Sequence, residues 1–448
     1  MRFNIKWLFF IFLFTQLAWC MERQPTEVYR ARREKLSTRT HGGAILLFSP
    51  LESEGPNDLY GYRQDNNFYY LTGWAEPGAA LLIIPAAPAK PDVPAQQYTE
   101  IFFLPNHSYV QEKWTGPKLG PENPEAPRIT GFDKVEAIDN MRQELVRLLP
   151  PRVATIFTDV VTSDETSNSA APIEWLERAN AFPLVATFND IRPLLSSLRT
   201  TKDAGEIELI RKAATASMAA QLAAIKAIKP GESEREISAL LQYEWGKRGC
   251  ERPAYAPIVG AGYNSTVLHY SNDDGPIKDG DLVLMDAAGE YSMYAADITR
   301  TVPANGKFTA RQREIYDIVL GAQEAAIHAF QSGKSILRGN DPNSLYKAAY
   351  DYINTHGKDS HGEPLGKYFI HGLSHYLGLA VHDDGDYNVP LGPGMIFTIE
   401  PGIYIPEEKI GIRIEDDFYV DQNGKLVDMT ADLPRAPDAI ERVMAGKQ

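Results

Sequence analysis

The sequence predicts two folded units in series, an α/β domain over residues 21–198 and an α+β domain over residues 199–448, behind a leader over residues 1–20. Three observations predict this order. Upstream of residue 199, short apolar runs alternate with helical or polar stretches, the rhythm of an α/β domain. At Arg199-Thr200-Thr201-Lys202-Asp203 the texture changes into EIELIRKAATASMAAQLAAIKAI, whose Ala, Ile and Leu fall at helical spacing. Beyond Gly249 the chain turns to short β-like runs that hold nearly all of its unusual polar residues. A length of 448 residues also suits two domains better than one.

The leader reads as a signal peptide. Arg2 and Lys6 precede an apolar run from Trp7 to Phe14, and Ala18 and Cys20 are small residues at cleavage-site spacing. That run is shorter than the roughly 20 residues a bilayer span needs, so export to a periplasm or the medium is expected and no integral span in the mature chain. Lipid attachment at Cys20 is the lesser alternative, because bulky Trp19 precedes it. Once the leader is removed Cys250 is the one remaining thiol, so no internal disulfide is available and stability rests on packing. The net charge of −14, with no Lys/Arg block, argues against nucleic acid or an anionic membrane surface as a partner. A composition of 44% hydrophobic and 23% charged residues excludes a disordered or fibrous chain. Oligomeric state is left open, a homo-oligomer included.

In chain order, AILLF at 44–48, AALLII at 79–84 and IFFL at 101–104 read as strands, and the Pro-rich stretches 85–94 and 117–127 as surface loops. Thr200 or Thr201 is expected to cap the helix that Pro230-Gly231 ends, and a second helix, SEREISALLQYEWGKRG, closes at Gly249.

The chemistry lies downstream. LVLMDAAGEYSMYAADITRTVP sets two strand-like runs around a turn-like GEYS and predicts a β-hairpin in which Asp286 and Asp297 become cross-strand neighbours. MIFTIEPGIYIPEEKIGIRIEDDFYV repeats the pattern, with Glu400 and Glu415 symmetric about Pro406-Glu407-Glu408-Lys409. Two hairpins that each deliver a carboxylate pair from inside an apolar run do not read as solvated surface charge, and buried like charges demand a cation. KYFIHGLSHYLGLAVHDDGDY adds His371, His375 and His382, and STVLHYSND adds His269, in strand-like surroundings. Any one of these is most simply a core histidine, but the cluster is a candidate metal or proton-transfer site. Two Asp, two Glu and one His offer hard oxygen donors and four negative charges, which suits two divalent cations. Manganese is expected ahead of zinc, although zinc or cobalt could occupy the site on affinity. Arg413, two residues before Glu415, is placed to orient a ligand carboxylate, and Tyr404 either lines the site or packs as a core aromatic.

At these residues the sequence resembles the pita-bread metallopeptidases. Asp286 in MDAAGEY, Asp297 in ADITRTVP, His375 in HGLSHYLG, Glu400 in TIEPG and Glu415 in RIEDD match all five metal-ligand positions of that family. RTVPANGKFTARQREIYDIVL, HGLSHYLGLAVHD, GIRIEDD and the N-terminal RQDNNFYYLTGWAEPG are similar to its aminopeptidase P branch, from about residue 25 onward. One departure is Asp384 in HDDGDY, where the family more often has a hydrophobic residue. The resemblance implies a catalytic domain of two similar halves, each contributing one hairpin. It also implies a two-metal aminopeptidase acting on peptides with proline second, a bond whose nitrogen carries no hydrogen. Glu400 would be the proton shuttle, His269 and His382 would hydrogen-bond the carbonyl or tetrahedral intermediate, and His371 would adjoin the substrate. A prolidase-like dipeptidase with the same metals and a non-catalytic binding protein on this scaffold are the competing expectations.

Overall fold

A computed structural model describes residues 21–52, 59–89, 95–149, 154–159 and 186–446, so the expected leader lies outside the described residues. In the N-terminal part, strands β1 (Ala44–Phe48), β2 (Ala80–Ile84), β3 (Thr99–Leu104), β4 (Val135–Ala137), β5 (Ala154–Thr158) and β6 (Ala186–Asp190) form one sheet in the order β4-β3-β2-β1-β5-β6. β1, β2 and β3 are antiparallel, whereas β4, β5 and β6 add in parallel. Alternate residues feed two separate cores: Ile45, Leu47, Leu81, Ile83 and Phe102 pack on one face, Ala44, Leu46, Leu82, Ile101 and Phe103 on the other. Burial on both faces explains why these strands read as unbroken apolar runs. The loop expected over 117–127 stops short, because Pro127 opens the short helix Ala126–Thr130 where its missing N–H costs nothing.

The C-terminal part consists of two similar halves. In each, two helices precede a strand hairpin: Ala204–Ala227 and Glu234–Gly246 in the first, Ala310–Ala329 and Leu345–His356 in the second. Neither Thr200 nor Thr201 caps the first helix. Asp203 does, in a capping box with Glu206, and Ser233 with Glu236 and Thr309 with Gln312 repeat the device. Thr200 cannot serve because its hydroxyl bonds back to the Ser196 carbonyl at the end of helix Arg192–Arg199.

The remaining strands are β7 (Arg252–Pro253), β8 (Ile258–Ala261), β9 (Leu282–Asp286), β10 (Gly289–Tyr291), β11 (Tyr294–Ala295), β12 (Thr299–Pro303), β13 (Ile396–Ile399), β14 (Gly402–Ile405), β15 (Ile410–Arg413), β16 (Asp416–Val420) and β17 (Leu426–Asp428). The first hairpin runs β9–β12 and continues as β10–β11, and the second runs β13–β16 and continues as β14–β15. Each is interrupted midway, and a buried glutamine from the first helix of its half spans the interruption. Gln221 Nε2 donates to the Ala287 and Ile298 carbonyls, each at 3.0 Å. Gln323 Nε2 donates to the Ile399 carbonyl at 3.1 Å and Asp416 Oδ2 at 2.8 Å. The two hairpins join where Glu415 N donates to the Thr299 carbonyl.

The first hairpin turns at Ser292-Met293, both with positive φ, at the end of GEYS and not at its middle. Met293 is buried in the core of the N-terminal domain, so the hairpin tip ties the two domains together and burial offsets the backbone cost.

Candidate metal centre

The hairpin interruptions place the carboxylates. Asp286 closes β9 opposite Thr299, so Asp297, two positions earlier, lies diagonal to Asp286 on the same face and not directly across as the symmetric reading expected. In the second hairpin the pairs Ile399–Asp416 and Gly402–Arg413 put Glu400 across from Glu415 at the break. The histidines sit in irregular chain and not in strands: His269 follows a 3-10 turn, and His371, His375 and His382 lie on the looped segment ahead of β13. His375 is fixed there by the neighbouring bridge Tyr376–Phe397 and by its backbone N–H to Thr398 Oγ1.

The five predicted ligands line one cavity of about 260 Å³, together with His269, His371, His382 and Arg413. Asp286, Asp297, His375 and Glu415 are buried and Glu400 half-buried. His375 Nε2 stands 3.2 Å from Asp297 Oδ2, 3.4 Å from Glu400 Oε1 and 3.9 Å from Glu415 Oε1. Ligand atoms of Asp297, His375 and Glu415 all fall within 4.8 Å of one another. Asp286 joins them through the Tyr255 hydroxyl, 2.6 Å from Asp286 Oδ1 and 2.5 Å from Asp297 Oδ1.

Crowding of like charge away from water shifts these groups. Burial, with Asp297 and Glu400 alongside, raises the Glu415 carboxyl well above the usual range. Burial pushes Glu400 up to about 7 against the pull of His375, and burial with Asp286 raises Asp297. His375 is held up at about 9, because its bond to Asp297 and the charge of Glu400 outweigh burial. Carboxyl groups that resist ionising and an imidazole that resists losing its proton describe an excess of negative charge, which divalent cations would relieve.

Arg413, Tyr404 and His371 form a directed chain. Arg413 Nη1 donates to the Tyr404 hydroxyl at 2.7 Å, and that hydroxyl contacts His371 Nε2 at 2.8 Å. His371 Nδ1 lies 2.7 Å from the Gly372 carbonyl, which can only accept, so Nδ1 carries the hydrogen and Nε2 accepts from Tyr404. Burial and Arg413 lower His371 to about 4, which keeps it neutral. Both of its nitrogens are engaged within the protein, so the Tyr404 hydroxyl and the Gly372 carbonyl fix the orientation of the ring. His371 thus lines the cavity beside the predicted ligands, held from behind. Tyr404 is itself buried and stands behind the cavity wall. His269 and His382 present exposed rings to the cavity, His382 packed edge-on to His375 at 4.4 Å between centroids. Tyr255, Thr299, Arg338 and Tyr387 escaped the sequence reading: Thr299 and Tyr387 lie inside ADITRTVP and HDDGDY but beside more conspicuous charged residues, and Tyr255 and Arg338 lie outside every quoted motif. Asp384, the departure from the family pattern, pairs with Arg199 at 2.7 Å and does not line the cavity.

Residues 208–422 match metallopeptidase family M24, and residues 29–157 match the aminopeptidase P N-terminal domain. The Xaa-Pro aminopeptidase of Escherichia coli (strain K12) is 35% identical over 444 residues, covering 93% of this chain and 97% of that protein. The chain belongs to the aminopeptidase P group of metallopeptidase family M24. The Xaa-Pro aminopeptidase of Haemophilus influenzae, another member of the group, is 34% identical over 458 residues, covering 95% of this chain and 98% of that protein. Among solved aminopeptidase P structures, proline aminopeptidase P II from Yersinia pestis matches with a TM-score of 0.81 and 33% identity, covering 95% of this chain and 100% of that one. The Escherichia coli enzyme with the inhibitor Pro-Leu gives 0.81 and 31% identity over 95% and 99%. The pita-bread expectation for the catalytic domain therefore holds, and the names of these relatives support the aminopeptidase reading over the dipeptidase one. The donor set here fits the divalent metals of an M24 peptidase: four carboxylates and one imidazole in a largely buried cluster, with the buried Ser374 hydroxyl on the same wall lacking a partner among the described residues.

Proposed function

We propose that this chain releases the N-terminal residue from peptides whose second residue is proline, with two divalent cations, manganese by preference, held by Asp286, Asp297, His375, Glu400 and Glu415. The observation that carries the reading is the meeting of these five side chains on one cavity wall, beside two histidines whose ring nitrogens have no protein partner among the described residues. Bound there, such cations lower the pKa of a water molecule and polarise the scissile carbonyl.

The side chains do the rest. Glu400, within the ligand cluster, accepts a proton from the attacking water and returns it to the proline nitrogen, which must be protonated to leave. His269 and His382 donate to the carbonyl oxygen as charge builds on it, a contribution of about 3–4 kcal/mol in comparable oxyanion sites. Arg413 fixes the orientation of Asp286 and, through Tyr404, of His371. The leader supports export, and peptides are the expected partners. A homo-oligomer is compatible with this reading.

The purified protein with manganese should release the first residue of an Xaa-Pro-Xaa tripeptide, and chelation or Asp297→Ala should abolish release. Turnover that survives both treatments would end the two-metal reading.

A further inference from the structure

Among the described residues two arginines line the cavity, and their circumstances differ. Arg413 is buried and committed to Asp286. Arg338 is exposed at the cavity, and no carboxylate of the described residues pairs with it. Its position is nevertheless built. The chain at its base is pinned on two sides: Leu391 N donates to the Ser335 carbonyl at 2.7 Å, Ile336 N to the Asn343 carbonyl at 3.1 Å, and Leu345 N to the Ile336 carbonyl at 3.0 Å. Leu337, immediately before it, is fully buried. The guanidinium lies over the Tyr387 ring, 3.7 Å from its centroid. Tyr387 packs edge-on against the buried Tyr376 ring at 5.3 Å, and the Tyr376 hydroxyl donates to the Asp386 carbonyl at 3.0 Å, closing the loop beneath.

A guanidinium stacked on an aromatic face keeps its N–H donors at its edge, and their fork geometry matches a carboxylate. The stack also removes much of the side-chain freedom that binding would otherwise cost. Held this way and lacking an internal anion, the group is shaped to receive one from the cavity. Resting on the peptidase reading above, we propose that Arg338, positioned by Tyr387, binds the free C-terminal carboxylate of a short peptide substrate. It would thereby set a preference for small peptides over long chains.

Kinetics on paired substrates test this: Xaa-Pro peptides of three, four and five residues, each as the free acid and as the C-terminal amide. The wild-type protein should favour the acid by about tenfold in kcat/KM at one or more of these lengths, equivalent to roughly 1.4 kcal/mol. Arg338→Ala should remove that preference through KM while leaving the amides within about twofold, and Arg338→Lys should restore part of it. Turnover of the amides reports directly that each variant is folded and metal-loaded. Tyr387→Leu should weaken the acid preference without touching amide turnover. Equal rates on acid and amide at every length, or a preference that persists in Arg338→Ala and in a second variant, Arg338→Gln, would overturn the assignment. Hydrolysis of neither form by wild type would overturn the peptidase reading and this inference with it.

Discussion

Arg413 Nη2, on the second hairpin, reaches across to Asp286 Oδ2 of the first at 2.5 Å, and the same guanidinium acts back on its own hairpin's ligand through Thr299. Its Nε donates to Thr299 Oγ1 at 3.1 Å, and that hydroxyl donates to Glu415 Oε2 at 2.6 Å. One arginine therefore orients a ligand carboxylate from each half. Outer partners of this kind are typically worth about 10–100-fold in metal affinity or activity. Arg413→Ala should lose that much in a metal titration and in kcat. Arg413→Lys keeps the charge but not the fork, and should recover only part. Unchanged metal affinity in both variants would show that Arg413 serves packing alone.

Metal removal should expose a pH dependence that the loaded protein lacks. Glu400 at about 7, His375 at about 9 and Glu415 well above its usual range all have folded-state pKa values raised above those of an unfolded chain. A raised group contributes stability that is complete below its unfolded pKa and lost as pH climbs through the folded value. His371, lowered to about 4, works in the opposite sense, but its effect is complete by about pH 6.5, the unperturbed histidine value. The chelated protein should therefore melt at progressively lower temperature between about pH 6.5 and 9. Manganese should reverse that fall most strongly at the alkaline end, because binding requires deprotonated ligands and releases protons. Thermal melts with and without chelator read this directly, and a metal-free Tm that rises over the interval contradicts the charge-crowding account.

Adjacent aspartates beside His382 should behave oppositely. Asp383 is buried between Lys202 Nζ at 2.9 Å and the Arg199 guanidinium, with Lys202 and Asp383 each 1% exposed. Asp383→Asn leaves two buried cations short of a partner and should cost about 3–5 kcal/mol in denaturant unfolding. Burial opposes the shift, but Lys202 and Arg199 hold the Asp383 carboxyl below its ordinary value, so its stabilisation is present above the unfolded pKa and lost as pH falls through the folded one. The Asp384 side chain, 40% exposed, makes only the outer contact with Arg199 among the described residues. Asp384→Val should change stability by less than about 1 kcal/mol and leave kcat/KM nearly intact. A large loss from Asp384→Val would mean that this departure from the family pattern shapes the substrate site.

The contrast shows what the sequence could carry. The five ligands were legible because carboxylates inside apolar runs are costly and therefore conspicuous. The three antiparallel N-terminal strands β1, β2 and β3 were legible because double-sided burial writes itself as unbroken hydrophobicity, whereas β4 and β6, half-buried to exposed, carry no such run. What stayed hidden depends on long-range approach. Tyr255 lies 31 positions from Asp286, and Gln221 and Gln323 look like ordinary helix residues until each is seen spanning a hairpin break. The cap at Asp203 was missed because Thr200 and Thr201 have the same local chemistry, and only the back-bond from Thr200 to Ser196 removes it from contention.

Glu234 offers a last prediction, since it governs a catalytic candidate it does not touch. Its carboxylate is fully buried at the start of helix Glu234–Gly246, where the helix dipole favours negative charge. Oε1 accepts from Ala261 N at 2.7 Å and Asn264 Nδ2 at 2.9 Å, and Oε2 from the Tyr270 hydroxyl at 2.8 Å and Gly275 N at 2.6 Å. These four donors bracket the loop that carries His269. The same loop rests on β15 at Gly411, where a Cβ would fall 1.9 Å from the Ser265 carbonyl oxygen. Glu234→Gln replaces one acceptor with an amide facing the Gly275 N–H, so the loop must shift, at about 1–3 kcal/mol for the unsatisfied group. Turnover should fall about tenfold or more, as small misplacements of a catalytic group commonly produce. Because the effect runs through His269, Glu234→Gln should add almost nothing in a His269→Ala background, a coupling that a double-mutant cycle on kcat measures. Additive losses in that cycle would show that Glu234 supports the fold at large and not the placement of His269.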